Sequence, residues 1–328
     1  MKTKIILLAS IALALVACKD KGNTPDEPIV EPDPQPTEVN AGAYFLSPVA
    51  FNGTFIETSI AMMEMTEPEI PETPLPARIR TENYPTYQWT PQDGTWPVDL
   101  TVNYGPQDIV CTDGLEHSGV LKIKTTAPFE TPNAVLNVSF ENFKVYGTIM
   151  TGAQTITNKG TNAAGNLVYE VVVQNGLLGG NSELTYSEST TRELIAGLAD
   201  NGILSPDVTT HTYSITGLMH GESNVDSVPG FNVSIEDADP MIISVGDQYP
   251  TSGKVHISFN PALTYMIEGT IPLSIDEVYV TFTGKNEQNQ YGVLAQTTIS
   301  GGALAQDLAL TFLVDENGIV DGSVEVVE

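Results

Sequence analysis

The sequence predicts an all-β, antiparallel, meander-rich protein, built either as a sandwich or as one elongated sheet, with two related β units as an option. Three observations support this fold class: segments that alternate apolar and polar residues, Asx-Gly pairs between those segments, and no regular succession of strand and helix patterns. Period-two alternation is typical of strands that bury one face, whereas a strand–helix succession would indicate a parallel α/β fold.

The alternating segments start at residue 98. In VDLTVNY, polar residues separate Val98, Leu100 and Val102, and the segment is rich in β-branched residues, as half-buried strands are. The pattern recurs in LKIKT (121–125), FNVSI (231–235), VHISF (255–259), VYVTF (278–282) and LALTFLV (308–314). Turns are predicted at Asp113-Gly114, Asn175-Gly176, Asn201-Gly202 and Asn317-Gly318, the last as a hairpin.

Residues 98–328 are therefore predicted to form the antiparallel β domain, with possible units at 98–230 and 231–328. A short internal repeat suggests the two units, because GTWPV precedes one alternating segment and GTIPL precedes another. Inside the domain, TRELIAGLADNG (191–202) fits either a helix or a strand that ends in a loop.

The first 18 residues have the pattern of a secretory signal. Lys2 and Lys4 precede an apolar run that is too short to span a bilayer as a permanent helix. The stretch LVAC (15–18) resembles the lipobox of bacterial lipoproteins, which implies removal of residues 1–17 and acylation of Cys18, with palmitate as a typical chain. Several acyl chains give a stable anchor. We expect an outer-membrane lipoprotein, with the cell surface and the periplasmic face both open.

Two segments separate the predicted anchor from the β domain. Residues 18–40 alternate prolines with acidic residues, so we expect an extended, lipidated tether. Residues 41–97 are predicted as an irregular or β segment. In it, AYFLSPVAFNGTF (43–55) fits an edge strand and turn, and FIETSIAMMEM (55–65) fits a short helix or a strand. The methionines of the second stretch are interpreted as core residues, and the proline-rich residues 67–78 as a loop.

The charge of the chain restricts its partners. It carries 13 Lys+Arg against 41 Asp+Glu, a net charge of −28, and without the two lysines of residues 1–17 the balance is 11 − 41 = −30. Nucleic acid is excluded as a partner, because phosphate binding requires clustered cations. Of the two cysteines, Cys18 is the predicted anchor. Cys111 then has no disulfide partner and is either a buried residue or an exposed thiol.

The sequence contains no motif for a cofactor or for catalysis: G-x-S-x-G, H-E-x-x-H and the P-loop are all absent. No metal site is predicted beyond a weak Ca²⁺ candidate at Asp237 and Asp239. In DGLEH, His117 stands near Asp113 and Glu116. We interpret this stretch as a polar turn between strands and not as a metal or acid–base site.

Four aromatic residues before the β domain are the candidate ligand-binding residues. Tyr84, Tyr87, Trp89 and Trp96 would form a stacking platform for sugar rings if their faces are exposed. The alternative is that they pack against the rest of the fold.

Several segments together resemble a group of Bacteroidetes lipoproteins of uncharacterised function. The match spans about residues 95–300 and includes Cys111, Ser118-Gly119, FENFKVYG (140–147) and TITNKG (155–160). Members of that group carry a second cysteine where this chain has GKNEQNQYG (284–292), so the resemblance implies that Cys111 is unpaired. It also implies a cell-envelope lipoprotein, and it supplies no catalytic residues.

The sequence thus predicts a cell-envelope lipoprotein that is not an enzyme and acts as a binding or structural module. One alternative is a glycan-binding accessory protein of a polysaccharide-uptake system, and another is a carrier of lipid or a different apolar ligand. The expected partners are the membrane, through Cys18, and a glycan or an envelope protein. A hydrolase with paired carboxylates is a further alternative, because the spacing of such a pair is spatial. An uncovered apolar face of the sheet would favour the carrier.

Overall fold

The structure is a computed structural model that describes most of the chain from residue 41 onward. The described ranges are 41–66, 84–179, 182–198, 204–205, 207–247, 249–267, 271–300, 306–315 and 318–327. The predictions for the signal peptide, Cys18, the tether, the loop at 67–78 and the turn at 201–202 lie outside these residues.

Two helices precede the sheet, α1 (Ala41–Phe45) and α2 (Ser47–Thr66). The edge strand predicted for residues 43–55 is therefore wrong, and FIETSIAMMEM forms a helix. Almost every described side chain of α2 is buried, so the segment lacks the one-sided apolar pattern by which a surface helix is recognised. Pro48 lies in the first turn, where its missing N–H removes no helical hydrogen bond. No described helix has both the length and the apolarity needed to cross a membrane.

Fifteen strands and one 3₁₀ turn (Val208–Thr210) follow within the described residues. The strands are β1 (Thr86–Thr90), β2 (Val98–Val110), β3 (Glu116–Thr125), β4 (Val135–Val145), β5 (Thr148–Thr161), β6 (Leu167–Leu178), β7 (Leu184–Ala196), β8 (Thr212–Ser223), β9 (Gly230–Ile235), β10 (Met241–Ser244), β11 (Gly253–Ile267), β12 (Ile271–Lys285), β13 (Tyr291–Ser300), β14 (Gln306–Asp315) and β15 (Gly318–Val327).

The strands form one antiparallel sheet in which almost every strand pairs with its neighbours in sequence. The sheet is not closed. It continues through residue 230 without a break, because β9 pairs with β8 on one side and with β11 on the other. The all-β antiparallel prediction is therefore confirmed, in its form as one elongated sheet.

The position next to β8 is occupied by two short strands in succession. β10 pairs with Thr212–Ile215 of β8, and β9 pairs with Gly217–Gly221. Residues 236–240 connect the two strands and leave the hydrogen-bond ladder. Such an insertion bends the strand and disrupts the ladder locally. The regular sheet is thus interrupted between Ile235 and Met241.

The six alternating segments all lie in strands, namely in β2, β3, β9, β11, β12 and β14. Asp113-Gly114 lies in the β2–β3 turn, and β14 pairs with β15 as the predicted hairpin. The turn predicted at Asn175-Gly176 is wrong, because both residues lie inside β6 where the register shifts at a bulge. A bulge uses the same left-handed backbone that Asx-Gly pairs supply in turns, and Asn175 has a φ of 50°. TRELIAGLADNG is a strand as far as Ala196.

Helix α2 packs against the sheet through two phenylalanines one turn apart. Phe51 stacks on Tyr186 of β7 with ring centroids 5.3 Å apart. Phe55 meets Tyr213 of β8 edge-on at 5.2 Å. Both phenylalanines are fully buried, and burial of such a side chain stabilises a fold by about 1.5–3 kcal/mol. The helix therefore supplies the second layer that the apolar face of a single sheet needs.

One glycine of β3 is required by the geometry of the sheet. Gly119 has a φ of 84°, and a Cβ at this position would lie 2.1 Å from the carbonyl oxygen of Asn142 in β4. Only glycine combines this backbone conformation with so close an approach of the next strand.

Candidate functional site

An apolar cavity of about 100 Å³ lies where the interrupted strand position meets the first turns of α2. Its described lining residues come from α2, from β8 to β12 and from the segment before β11. They are Pro48, Val49, Asn52, Ile215, Met219, Val233, Ile235, Met241, Ile243, Pro250, Val255, Ile257, Val280 and Phe282. The period-two pattern of the strands places every second side chain on this face.

Thirteen of these fourteen residues are apolar. The exception is Asn52, whose Oδ1 accepts a hydrogen bond from Nη1 of Arg192 at 2.7 Å and is thereby occupied. Engineered cavities with an apolar lining bind apolar molecules. The site therefore suits an apolar ligand and lacks the polar groups that orient a sugar.

The cavity has a deep side and a more accessible side. Ile215, Ile257 and Val280 are 1–2% exposed at its base. Met241 and Ile243 of the short strand β10 are half-buried. A ligand would thus enter beside β10, next to the point where the sheet is interrupted.

A buried ion pair fixes α2 beside this cavity. Arg192 and Glu188 of β7 are 1% and 0% exposed in their side chains, and Nη2 of Arg192 lies 2.9 Å from the Glu188 carboxylate. Tyr186 and Thr190 donate hydroxyl hydrogen bonds to the same carboxylate at 3.0 and 2.5 Å. The Arg192 guanidinium also lies 4.3 Å from the ring centroid of Phe55. Together with the bond to Asn52, these contacts connect the helix to β7.

A second buried polar cluster joins α2 to the β2–β3 turn. The Glu57 carboxylate of α2 accepts a hydrogen bond from the Tyr104 hydroxyl at 2.9 Å. It also accepts the backbone N–H groups of Thr112 and Asp113 at 3.1 and 3.3 Å. The Asp113 carboxylate in turn lies 2.7 Å from Nε2 of His117 in β3.

Cys111 belongs to the same cluster. Glu57, Cys111 and His117 each offer one possible metal-ligand atom, and these three atoms lie within 4.8 Å of one another. The turn can approach the helix because Gly53 has no side chain: a Cβ there would lie 2.3 Å from Oδ2 of Asp113. Gly53 of α2 thus leaves room for the β2–β3 turn, and Glu57, one turn later in the helix, forms the hydrogen bonds with it.

Burial and charge determine the electrostatics of the cluster. Burial, followed by the negative charge of Asp113, raises the pKa of Glu57 to about 7. Burial alone would lower the pKa of His117, but the adjacent Asp113 carboxylate outweighs it and the pKa lies above its usual value. Burial and the carboxyl groups of Glu57 and Asp113 raise the pKa of the Cys111 thiol. Two acidic side chains and one basic side chain therefore share a site shielded from water.

The cluster does not have the features of a catalytic site. Glu57, Cys111, Asp113 and His117 are all less than a tenth exposed, so a substrate cannot reach them in this conformation. A thiol with a raised pKa is also a weak nucleophile. Asp113 does lie in the turn predicted between two strands, but it is buried, and His117 lies in strand β3 and is fully buried.

A third buried polar site is formed by His211, which follows the 3₁₀ turn. Its Nε2 lies 2.9 Å from the carbonyl oxygen of Ser205. Within the part of the chain that the structure describes, its Nδ1 has no hydrogen-bond partner. Burial lowers the pKa of His211, and the nearby negative charge of Asp207 opposes this only in part. The ring is therefore held in its neutral form.

The four candidate aromatic residues lie at the edge of the sheet. Tyr87 and Trp89 point to one face of β1, and Tyr84 and Trp96 flank that strand on either side. All four are half-buried and pack against the core. Their predicted role in stacking on sugars stays a prediction.

The two candidate Ca²⁺ residues lie in the connection between β9 and β10. Asp237 and Asp239 are exposed, and the Asp239 carboxylate forms an ion pair with Nζ of Lys254 at 2.8 Å. Among the described residues, they do not join a third Asp, Glu, His or Cys at metal-ligand spacing. Cys18 lies outside the described residues.

Sequence reasoning missed the cavity and the position of Glu57 beside His117, although it noted Asp113 near His117. Glu57 is 60 residues away from His117 in the sequence, so no local spacing connects them. A usable signal for the cavity was the acidic insertion EDADP (236–240), which follows FNVSI and interrupts the alternating pattern of that segment. Such an interruption between two apolar strands indicates a break in the sheet.

No known protein-family model matches the chain, no curated protein is similar to it in sequence, and no solved structure is similar to it.

Proposed function

We propose that the protein binds a neutral, apolar ligand, such as the hydrocarbon chain of a lipid, in the cavity beside α2. The observation that carries this proposal is the lining: thirteen of fourteen described residues are apolar, and the single polar one is engaged by Arg192. Each methylene group that enters such a site contributes about 0.8 kcal/mol. This function corresponds to the carrier alternative of the sequence analysis.

The charge of the chain supports a neutral ligand. A net charge of −28 disfavours anions such as fatty acids near the protein. The described cavity lining contains no positively charged residue that would pair with a carboxylate. Long-chain alcohols, acylglycerols and similar uncharged lipids are therefore the expected ligand class.

A fluorescence experiment tests the proposal. N-phenyl-1-naphthylamine, a neutral apolar dye, is titrated into a chain that starts at residue 19, with excitation outside the tryptophan absorption. We expect saturable binding that hexadecanol displaces more effectively than palmitate does. Met241→Trp places a bulky side chain at the cavity entrance and is expected to weaken dye binding at least tenfold.

The matched control is Leu218→Trp. Leu218 is also in the β8–β10 region but is 62% exposed, so the same side chain is added outside the core. We expect the control to bind the dye like the unmodified chain. Absence of saturable binding, or equal binding by both variants, would refute the proposal.

The second part of the proposal is that the chain is attached to the outer membrane through Cys18. The support for it is the signal-like pattern of residues 1–17 followed by LVAC. Replacing Cys18 by serine is expected to abolish incorporation of labelled palmitate, and unchanged labelling would contradict the anchor. Protease digestion of intact and lysed cells then distinguishes the cell surface from the periplasm.

A further inference from the structure

The cluster of Glu57, Cys111 and His117 lies apart from the apolar cavity and contains the donor types that zinc prefers. A thiolate sulfur, an imidazole nitrogen and a carboxylate oxygen are the three protein ligands of Zn²⁺. They come from three different elements, namely α2, the β2–β3 turn and β3, and meet in the core. The described residues hold this one group with such spacing.

The distances are close to those of a metal site. Zinc–ligand bonds of about 2.0–2.3 Å place tetrahedral ligand atoms about 3.3–3.7 Å apart. The three donor atoms lie within 4.8 Å of one another. Each pair of donor atoms would therefore have to approach by at most about 1.5 Å to reach the spacing of a tetrahedral zinc site. Side-chain rotations of this size require no change in the strand pairing.

Asp113 provides the supporting contact that metal-binding histidines usually have. Its carboxylate lies 2.7 Å from Nε2 of His117 and is itself buried. Carboxylates in this position orient the imidazole and increase its basicity toward a metal.

We propose that Glu57, Cys111 and His117 bind one divalent zinc-class cation, with Asp113 as the residue that positions His117. Binding releases two protons to solvent, the thiol proton of Cys111 and one ring proton of His117. The sulfur and the freed imidazole nitrogen then donate their electron pairs to the metal. Since the side chains are enclosed, the cation enters while the chain folds. The metal would connect α2 to β2 and β3 and so stabilise the helix against the sheet.

Cobalt substitution tests this site in the full chain. The protein is unfolded, refolded with Co²⁺ in detergent, and freed of loosely held metal by dialysis. We expect about one equivalent of cobalt per chain by elemental analysis, together with a thiolate-to-cobalt charge-transfer band in the near ultraviolet. Refolding with Zn²⁺ is expected to give one equivalent of zinc and no band.

One test variant and two controls identify the thiolate ligand. Cys18→Ser leaves the cluster intact and is expected to retain both the metal and the band, whereas Cys111→Ser is expected to lose the band. His256→Asn alters a half-buried histidine outside the cluster whose Nε2 lies 2.9 Å from Glu277, and it is expected to bind cobalt like the unmodified chain. Less than a tenth of an equivalent in the unmodified chain, or bound cobalt without the charge-transfer band, would overturn the proposal even if Cys111→Ser fails to fold.

Discussion

Replacing Arg192 by methionine tests how α2 is held to the sheet. The change removes the 2.9 Å contact with Glu188, the 2.7 Å hydrogen bond to Asn52 and the cation–π contact with Phe55. Methionine retains much of the side-chain volume, so the main effect is electrostatic. It leaves the Glu188 carboxylate in the core without its positive partner.

The expected cost can be estimated from the burial of the pair. Removing one member of a fully buried ion pair destabilises a protein by about 3–5 kcal/mol, because the remaining charge is uncompensated. Two hydroxyl donors to Glu188 remain, those of Tyr186 and Thr190, which places the expected loss near the lower limit, at about 3 kcal/mol. Adding Glu188→Gln removes the charge and keeps one oxygen that accepts from one of the two hydroxyl groups, while the amide NH₂ can donate to the other hydroxyl oxygen. The double variant is therefore expected to be more stable than Arg192→Met alone by at least about 1 kcal/mol.

Urea unfolding followed by tryptophan fluorescence measures these differences, with Glu188→Gln completing the double-mutant cycle. A loss of less than about 1 kcal/mol for Arg192→Met would refute the stabilising role of the buried ion pair. The same would follow if Glu188→Gln lowered the stability of Arg192→Met as much as it lowers that of the unmodified chain.

Two further predictions concern the backbone and the response to pH. Gly119→Ala is expected to cost about 3 kcal/mol, because it adds a collision with the next strand to an unfavourable φ. The matched Gly165→Ala, with a φ of 85° and nothing within 4 Å of its Cβ, should cost about 1 kcal/mol in the same urea assay; equal losses would contradict the close approach. Burial lowers the pKa of His211 in the folded chain, although the negative charge of Asp207 opposes this shift. The unfolded chain therefore binds the imidazole proton more tightly than the folded chain does. The contribution of His211 to the free energy of unfolding is complete above the pKa of about 6.5 that it has in the unfolded chain, and it is lost as the pH falls below that value. His211→Gln, which can still donate to Ser205, should therefore show a weaker loss of stability from pH 7 to 5; an unchanged pH profile would show that His211 does not contribute.

The strands could be predicted from the sequence because their signal is local. Segments such as VDLTVNY and VHISF bury alternate residues on one face, and this periodicity depends only on adjacent positions. Helix α2 has no such signal. Phe51 and Ile60 lie on opposite sides of the helix and are both buried, so the segment has no exposed polar face to set a period.

The buried polar groups could not be predicted for a different reason. Glu188, Thr190 and Arg192 alternate along β7 on its inner face, where a strand pattern predicts apolar residues. Groups on α2 and on β7 itself pair with most of their polar atoms, the Nε of Arg192 excepted, and the pairings with α2 depend on contacts between distant segments. Asn52 and Arg192, for example, are 140 residues apart. The same holds for Glu57 and the β2–β3 turn.

The location of the cavity follows from how the single sheet is covered. One apolar face of a sheet must be buried by another layer, and α2 provides this layer through Phe51 and Phe55. The first turn of α2, at Pro48 and Val49, borders the region where β9 gives way to β10 across an insertion that leaves the ladder. Met241 and Ile243 of β10 are only half-buried at this point. Under the proposed function, each methylene group that a ligand buries against this apolar surface would contribute about 0.8 kcal/mol.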